Sequence, residues 1–416
     1  MNRIALSLSV SIVASLSLGS LASAATLRVP KDFATIQAAV AAANPGDRIK
    51  IANGTFFENV FIPAGKDGLV VEGSGKTIVD ARPLGGAGSG AAIAGLSNGL
   101  VVRRLTVRHG KGAPAIGVFI TADGARIERV TALHCEDFGI DVIGDGAVID
   151  RCVVRSSGIG IAVTGNGATI RKSSAQFVGN AGVFVVGNDA RIESSTVTAS
   201  DTDGIFVSGL GPIVTKCTVA GVRGFGMTVF GAGSPTITSN VVRNVREQPG
   251  LMVFGATGGL VQSNRISDVA HSGMLFTGGA SNVVIRKNRI ERSGCGGLNA
   301  GIVLNANACS VSENLVRDTG NDGIRCLGTQ HVLTKNRVLG NACDGIDVDA
   351  GTITLIGNVA LGNGGDGIEN QGPGADMIGN RALGNRRDIS NGGVVSTFEN
   401  NVYLNGGIGA PAIIDL

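Results

Sequence analysis

A short repeat constrains this chain more than any other feature of its sequence. Twelve glycines each precede an apolar–variable–apolar triplet, as in GVFI at Gly117, GIDV at Gly139 and GIFV at Gly204. The period is about 22 residues, which is typical of solenoids, in which each unit packs only on its neighbours. A length of 416 residues therefore does not require several globular domains.

Each period contains two or three short runs of alternating residues that are rich in Val, Ile and Thr and are separated by Gly, Asn, Asp and Ser. These runs predict short strands joined by turns, and none is long enough for a helix. A leucine-rich repeat would need regularly spaced Leu, which the chain lacks. The 66 glycines fit the many tight turns of about a dozen stacked β coils.

One column of the repeat predicts a ladder inside the solenoid. Successive coils stack about 4.8 Å apart, so amide side chains at the same inward position hydrogen-bond one another. We therefore predict a structural role for this column, which runs through Cys152, Ser173, Ser195, Cys217, Asn240, Asn264, Asn288, Asn314, Asn336, Asn358 and Asn380.

The N-terminal segment, residues 1–24, is typical of a signal peptide. Arg3 is followed by an apolar stretch from Ile4 to Leu21 and by the small residues Ala22-Ser23-Ala24. We expect export to the periplasm or beyond, with a mature chain that begins near Ala25. No later segment has eighteen uninterrupted apolar residues, so we expect no membrane span in the mature chain.

The mature chain divides into three predicted parts. Residues 25–65 form an N-terminal cap, in which the Ala-rich run from Thr35 to Ala43 is a helix ended by Asn44-Pro45-Gly46. The helix covers the open end of the solenoid, where core and strand edges are otherwise exposed. Residues 66–405 form the parallel β-helix, and residues 406–416 form a tail.

Charge and cysteine content exclude some partners and cross-links. The net charge of +3 is too mild to indicate a nucleic-acid-binding protein. The seven cysteines are an odd number, and no two of them occupy the same phase in adjacent coils. Since Cys152 and Cys217 share a phase but lie three coils apart, we expect buried free thiols rather than disulfides.

The stretch TIQAAVAAANPGDRIKIANGTFFENVFI, the later VVEGSGKTIVDA and the repeated DGI/GN pattern resemble the right-handed parallel β-helix proteins of the pectate-lyase-like superfamily. The resemblance covers nearly all of the mature chain. It implies an all-β fold, a single-stranded right-handed parallel β-helix with a short N-terminal capping helix. The superfamily includes pectin and alginate lyases, polygalacturonases, uronate epimerases, adhesins and maturation accessory proteins, and their shared chemistry is on acidic polysaccharide.

None of the catalytic motifs of these relatives is complete in this chain. Only SDTDGIF, with Asp201 and Asp203, resembles a polygalacturonase motif, and the paired Asp, GHG and RIK motifs do not follow it. The DPHD motif of alginate epimerases is also absent. Candidate catalytic residues must therefore come from the repeat itself, at positions where its turns carry inserted or ionisable residues.

The turn before the Gly-apolar strand carries most of these residues. The insertions Asp80–Gly90, His109–Pro114 and Ser293–Ala300 all fall there. His109 and His134 lie in adjacent coils with Asp137 close by, and we propose these three as catalytic candidates that could move a proton or bind a metal. The alternative is a solvated polar turn.

A second candidate is acidic. Asp322, Asp344, Asp366 and Asp388 recur once per period, and a neighbouring outward column runs through Arg325, Asp347 and Glu369, joined by Asp349. Stacked carboxylates can bind calcium or serve as an acid and base pair, with Asp347 as a catalytic candidate. The alternative is ordinary turn chemistry, because Asp before Gly is common in turns. No cofactor other than this possible calcium is evident.

A third candidate is an outward column just before the predicted ladder. It contains Arg129, Arg151, Lys172 and Lys216, interrupted by Ser194, and suits a row of uronate or sulfate groups. A solubilising face that protects strand edges is the alternative. Because Trp is absent, only outward Phe residues such as Phe119, Phe184 and Phe206 could stack on neutral sugars, which favours an acidic glycan.

These patterns lead to one principal functional hypothesis and two alternatives. The principal hypothesis is an exported protein that binds or processes an acidic polysaccharide, as a lyase or an epimerase if it is an enzyme. The alternatives are a non-catalytic surface or adhesive solenoid and an accessory protein for maturation of a periplasmic enzyme.

Overall fold

The computed structural model describes residues 24–82, 90–109, 115–294 and 299–407. Within these residues the chain forms one short helix and 46 strands, which are arranged in two parallel sheets of 16 and 30 strands. The predicted signal peptide and most of the predicted tail lie outside the described residues. None of the described helices is long and apolar enough to cross a membrane.

The 16-strand sheet contains one strand from each coil. In chain order its strands are Val60–Ile62, Ile93–Gly95, Ile116–Thr121, Phe138–Ile143, Ile159–Thr164, Val183–Val186, Ile205–Ser208, Met227–Gly233, Leu251–Ala256, Met274–Thr277, Ala300–Leu304, Asp322–Cys326, Ile346–Val348, Asp366–Asn370, Arg387–Asn391 and Gly406–Gly407.

The 30-strand sheet has two rows that follow one another within a coil. The first row is Thr26–Val29, Arg48–Ile51, Val70–Asp80, Val101–Arg108, Arg126–Glu128, Val148–Asp150, Thr169–Arg171, Arg191–Glu193, Ile213–Thr215, Thr236–Thr238, Leu260–Gln262, Val284–Arg286, Ser310–Ser312, His331–Thr334, Thr352–Ile356, Gly374–Ile378 and Val395–Glu399. The second row is Gly54–Phe56, Thr131–Leu133, Val153–Arg155, Ser174–Val178, Thr196–Ser200, Thr218–Val222, Val241–Val245, Arg265–Val269, Arg289–Ser293, Leu315–Arg317, Arg337–Leu339, Val359–Leu361 and Arg381–Leu383. The long strands Val70–Asp80 and Val101–Arg108 pair with both rows.

The predicted right-handed parallel β-helix is confirmed, with about 16 turns rather than a dozen. The additional strands of the 16-strand sheet are Val60–Ile62, Ile93–Gly95, Arg387–Asn391 and Gly406–Gly407. They lack the glycine followed by an apolar–variable–apolar triplet, so the sequence repeat does not mark them.

Columns of β-branched residues form the core of the solenoid. Ile127, Ile149, Ile170 and Ile192 pair in register along the first row, and each is at most 1% exposed. Burying one such side chain contributes about 1.5–3 kcal/mol. Because every coil repeats this alternation of inward and outward residues, outward side chains also align in straight columns along the solenoid.

The predicted amide ladder is confirmed. The side-chain amide of Asn240 donates to Asn264 Oδ1, that of Asn264 to Asn288 Oδ1 and that of Asn288 to Asn314 Oδ1, each at 3.0 Å. The same pattern continues through Asn336, Asn358 and Asn380 to Asn401. A second ladder that the sequence did not predict runs through Asn341, Asn363 and Asn385 at 2.8 Å.

The predicted capping helix is also confirmed and spans Ile36–Ala42. The Thr35 side chain accepts a hydrogen bond from the Ala38 N–H, and the Glu58 carboxylate accepts from the N–H groups of Ile36 and Gln37. These bonds satisfy donors that have no partner within the helix. Ile36 and Val40 are fully buried against the core.

The prediction of buried free thiols is confirmed for Cys152, Cys217, Cys309 and Cys326. Cys135 is fully buried as well. The prediction was wrong for Cys343, which is an exposed thiol in the turn before Asp344. Cys295 lies outside the described residues.

Candidate functional site: a carboxylate cluster on the 16-strand sheet

Six carboxylates and two arginines gather on the outer surface of the 16-strand sheet near its C-terminal end. Strand register aligns Arg325 with Asp347 and Asp347 with Glu369, so these three side chains form one outward column on adjacent strands. Asp322, Asp344 and Asp366 lie at the start of the same three coils. The predicted acidic columns are therefore brought together.

Glycines at the strand starts allow this arrangement. A Cβ at Gly345 would lie 2.4 Å from the Gly367 carbonyl oxygen and 2.7 Å from the Asn363 side-chain nitrogen. Only glycine fits there, and the preceding Asp344 is left half-buried at the sheet surface. The same crowding occurs at Gly323, which follows Asp322.

The aspartates before these glycines also hold successive coils together. Asp322 Oδ1 accepts a hydrogen bond from the Asp344 N–H at 3.1 Å, and Asp344 Oδ1 accepts from the Asp366 N–H. One oxygen of each of these carboxylates therefore has a structural role, which supports the alternative interpretation of these residues as ordinary turn aspartates. The second oxygen of Asp322 and of Asp344 makes no hydrogen bond to another protein group in the described structure.

Asp388 does not belong to this column, and that prediction was wrong. Asp366 pairs in register with Arg387, not with Asp388. Arg387 binds both oxygens of Asp366 at 2.7 and 2.6 Å. Asp388 is 1% exposed and ends the second ladder, where it accepts from Asn385 and from the Leu404 and Asn405 N–H groups.

Arg325 provides the positive charge at the centre of the cluster. Its guanidinium lies 2.6 Å from Asp349, 3.4 Å from Asp347 and 3.7 Å from Asp322. Asp347 is 5% exposed, and its Oδ1 atom is buried without a hydrogen-bond partner. A buried, unpaired carboxylate oxygen is costly unless another group binds it.

Burial shifts the acidity of the cluster. It raises the pKa of Asp347 to about 7, with a further increase from the nearby charges of Asp349 and Asp322 and a partial offset from Arg325. Burial likewise raises the pKa of Asp344 to about 6 and raises that of Asp322. Asp347 and Asp344 can therefore give or accept a proton near neutral pH.

The same cluster has the donors for a divalent cation. Asp322, Asp344 and Asp347 each offer one oxygen, and these oxygens lie within 4.8 Å of one another. Asp344, Asp366 and Glu369 form a second such group. Carboxylate oxygens are the ligands that Ca²⁺ prefers, and Asp347, whose Oδ1 atom has no hydrogen-bond partner, belongs to the first group.

The two candidate histidines lie together on a different edge of the solenoid. Their rings stack with centroids 5.6 Å apart, and His109 Nδ1 lies 3.2 Å from Asp80 Oδ1. Burial, together with the charges of Arg82 and Arg108, lowers the pKa of His109 in spite of Asp80. The adjoining residues 83–89 and 110–114 lie outside the described residues.

Asp80 is a buried ionisable residue on this edge that sequence reasoning did not single out. It is fully buried and binds Arg82, Arg108 and His109. From the sequence, Asp80 was recognised only as the first residue of the insertion Asp80–Gly90. The signal that could have identified it is the pairing of Val70–Asp80 with Val101–Arg108, which places Asp80 beside Arg108.

Asp137 lies near the histidine edge but has a structural contact. Its Oδ2 atom accepts a hydrogen bond from the Ala115 N–H at 2.7 Å, which joins two coils. Asp141, four residues further along the chain, is 9% exposed, and burial raises its pKa to about 6. Asp347, the fourth catalytic candidate, is on the 16-strand sheet in the cluster described above.

The predicted basic column is exposed and regular. Arg129, Arg151, Lys172 and Lys216 each adopt a positive φ of 51° to 55° at the bend between the two rows of the 30-strand sheet. Arg151 is paired with Asp150 at 2.7 Å, and a cleft of 440 Å³ around Arg129 and Arg151 also contains acidic side chains. The surface around Arg129 and Arg151 therefore carries both positive and negative charges.

Four of the outward Phe residues form two stacked pairs. Phe184 and Phe206 stack with centroids 5.0 Å apart and planes inclined by 10°, and Phe230 and Phe254 stack at 4.5 Å and 8°. Faces that are already stacked within a pair are not available to a sugar ring.

Comparison with known proteins agrees with this architecture. The family model of the right handed beta helix region matches residues 116–245 and 157–316. No curated protein gives a significant sequence match. Similar solved structures include the periplasmic alginate epimerase AlgG, with 14% identity over 79% of this chain and 84% of that chain and a TM-score of 0.46.

Two further structures show the same kind of similarity. DFA-IIIase from Arthrobacter chlorophenolicus A6 in complex with GF2 is 13% identical over 82% of this chain and 94% of that chain, with a TM-score of 0.41. The Dettilon tailspike protein gp208 is 14% identical over 65% of this chain and 62% of that chain, with a TM-score of 0.40.

Proposed function

The chain is a right-handed parallel β-helix repeat protein, and from that premise we propose that it binds and processes an acidic polysaccharide at the carboxylate cluster of the 16-strand sheet. The observation that carries the proposal is Asp347, a buried carboxyl group with an unpaired oxygen and a pKa of about 7. A group that titrates near the working pH is suited to general acid–base catalysis. The carbohydrate class follows from the resemblance to the pectate-lyase-like superfamily.

The reaction that suits this site begins with removal of a proton from the sugar carbon next to a uronate carboxylate. Asp347 in its ionised form takes that proton. In an elimination, the bond from the neighbouring carbon to the leaving sugar oxygen then breaks, a carbon–carbon double bond forms, and water protonates the leaving oxygen. In an epimerisation, water returns a proton to the same carbon from the opposite face.

We also propose that calcium binds to the neighbouring carboxylates Asp344, Asp366 and Glu369, which leaves the unpaired oxygen of Asp347 free to exchange a proton. Six carboxylates against two guanidinium groups would repel a polyanion, and a divalent cation offsets that repulsion. When bound, calcium would supply positive charge that stabilises the uronate carboxylate as negative charge develops on it. Arg325 neutralises part of the cluster and stays engaged with Asp349.

Export is part of the same proposal, because an extracellular polysaccharide is met outside the cytoplasm. Expression of the full chain in a bacterial host, followed by mass determination of the mature protein, should show cleavage after residue 24. An intact N-terminus would contradict this part of the proposal without affecting the site.

The site is tested with the purified mature protein on pectate, alginate and glycosaminoglycan panels, with calcium or with a chelator. We expect unsaturated or epimerised products that depend on calcium. Asp347→Asn should lower the rate about 10²–10⁴-fold, the usual contribution of a general acid or base. Asp376→Asn, on the 30-strand sheet, is the matched control and should leave the rate unchanged.

Calcium binding gives a second readout that needs no substrate. We expect calcium to raise the melting temperature of the wild type and of Asp376→Asn, and to have no effect on Glu369→Gln. No product on any polysaccharide together with no calcium effect would contradict the proposal. That result would favour a non-catalytic solenoid. In such a protein the continuous amide ladders have a purely structural role, which is to keep the coils in register.

A further inference from the structure

An exposed phenylalanine lies in a surface cleft on a different part of the molecule, one residue before the end of the second-row strand Ser174–Val178. Phe177 is 67% exposed and adopts a φ of 55°. Bulky residues disfavour this left-handed conformation, and exposure gives the ring no burial energy in return. Most of the neighbouring coils place a smaller residue at the equivalent position, namely Ser156, Ala199, Asn244 or Asp268, whereas His109, His134 and Arg292 are the larger residues found there.

The coils after Phe177 leave space beside its ring. Val178 pairs in register with Ser200, which places Phe177 next to Ala199, and the following coil has Gly221 at the same position. Ala199 and Gly221 therefore lie about 5 and 10 Å along the solenoid axis from Phe177. A Cβ added at Gly221 would meet only the Ala199 nitrogen, at 3.8 Å, so this floor is open.

Charged side chains surround that floor and complete a cleft of 670 Å³. Arg223 is paired with Glu247 at 2.6 Å, and Asp201 is exposed. Arg246 makes no ion pair with a carboxylate among the described residues of the chain. The cleft thus combines one open aromatic ring, an open floor of small residues and one guanidinium without a partner.

We propose that this cleft binds one pyranose ring of an anionic glycan, with the apolar face of the sugar on Phe177 and its acidic group on Arg246. An aromatic face matches the C–H face of a sugar, and a guanidinium binds a carboxylate or sulfate with paired hydrogen bonds. Phe177 differs from the stacked pairs Phe184–Phe206 and Phe230–Phe254 because small residues flank it on the side of the cleft. The site is separate from the carboxylate cluster and does not depend on the proposed reaction.

The test uses calorimetric titration of the mature protein with pectate and alginate oligosaccharides, and with neutral cello-oligosaccharides as comparison. To keep the two sites apart, all proteins carry Asp347→Asn. We expect the anionic oligosaccharides to bind and the neutral ones to bind at least several times more weakly. Phe177→Asn should weaken anionic binding about three- to tenfold, and Arg246→Gln by a similar factor.

Phe177→Asn is chosen because Asn tolerates the left-handed conformation, so this variant should fold at least as well as the parent. Phe57→Asn removes another exposed ring, 56% accessible, and is the matched control with unchanged binding. Equal affinity of Phe177→Asn and the parent, or equal binding of neutral and anionic sugars, would overturn the proposal. Binding that depends on Phe177, together with no product formation by the protein that retains Asp347, would leave it intact while contradicting the proposed function.

Discussion

His331 shows how a single residue can substitute for another within the repeat. It is 1% exposed inside the solenoid, and its Nδ1 atom accepts a hydrogen bond from the Cys309 N–H at 3.3 Å. An asparagine in the amide ladders does the same with its side-chain oxygen, as Asn336 does for the Asn314 N–H. The imidazole therefore replaces an amide as acceptor, but unlike an amide it can be protonated.

This difference predicts a pH dependence of stability. Burial lowers the pKa of His331 to about 4, below the ordinary value near 6.5 that applies to the unfolded chain. The unfolded state then binds more protons between these values, so the contribution of neutral His331 is complete above pH 6.5 and is lost as the pH falls toward 4. The loss should be about 3 kcal/mol at pH 4.

The measurement is denaturant unfolding from pH 4 to 8 for the wild type and His331→Asn. The asparagine variant keeps the acceptor for the Cys309 N–H and should lose the part of the pH dependence that belongs to His331. If both proteins lose the same stability between pH 6.5 and pH 4, then His331 is not buried as a neutral group.

At the scale of elements, the two amide ladders determine how coils stack. Each ladder asparagine accepts from the backbone and side chain of the preceding coil and donates to the next coil, as Asn288 does with Asn264 and Asn314. Its amide also donates to the Val261 carbonyl at 2.9 Å. All donors and acceptors of the side chain are therefore used inside the core, which is the condition under which buried polar groups stabilise a fold.

Removal of one ladder residue should be costly. Asn288→Ala removes the side-chain amide and leaves the Asn264 N–H, the Asn264 amide and the Asn314 oxygen without that partner. Each buried polar group that loses its partner costs about 1–3 kcal/mol of stability. We expect a loss of about 3–5 kcal/mol in the free energy of unfolding, measured by urea denaturation. Asn305→Ala, at an exposed position, is the control and should change stability by less than about 0.5 kcal/mol.

At the scale of the whole molecule, stability is distributed along one axis. Each coil contacts the coil before and the coil after it, so local disruption can unravel one end while the rest remains folded. The N-terminal end is closed by the capping helix, in which Val40 is fully buried. The carboxylate cluster lies at the other end, many coils away from this cap.

Displacing the capping helix from the core should therefore unfold only the first coils. Val40→Asp places a charge in the core and should increase amide hydrogen exchange in residues 26–80, while the ladder segments of residues 240–380 keep their protection. Ala38→Asp, on the exposed face of the same helix, is the control and should exchange like the wild type. A uniform increase along the chain would contradict this one-dimensional behaviour.

The sequence by itself determined the solenoid, its inward columns, the first amide ladder and the capping helix. These features depend on local alternation and on a period that repeats many times, so one sequence is enough to identify them. It also indicated Asp344, Asp347 and Glu369 as neighbours, because residues one period apart lie on adjacent coils. Physical proximity in a solenoid is thus largely encoded by the period.

Only the tertiary structure decided the features that depart from the regular period or depend on packing. A coil that is one residue shorter than the three coils before it places Arg387 beside Asp366 and turns Asp388 into the core. Arg387 and Asp388 are both polar enough to fit either position. Asp80 reaches His109 across an inserted segment. Burial and the positions of neighbouring charges shift the pKa of Asp347, and these depend on packing in three dimensions, which residue spacing does not specify.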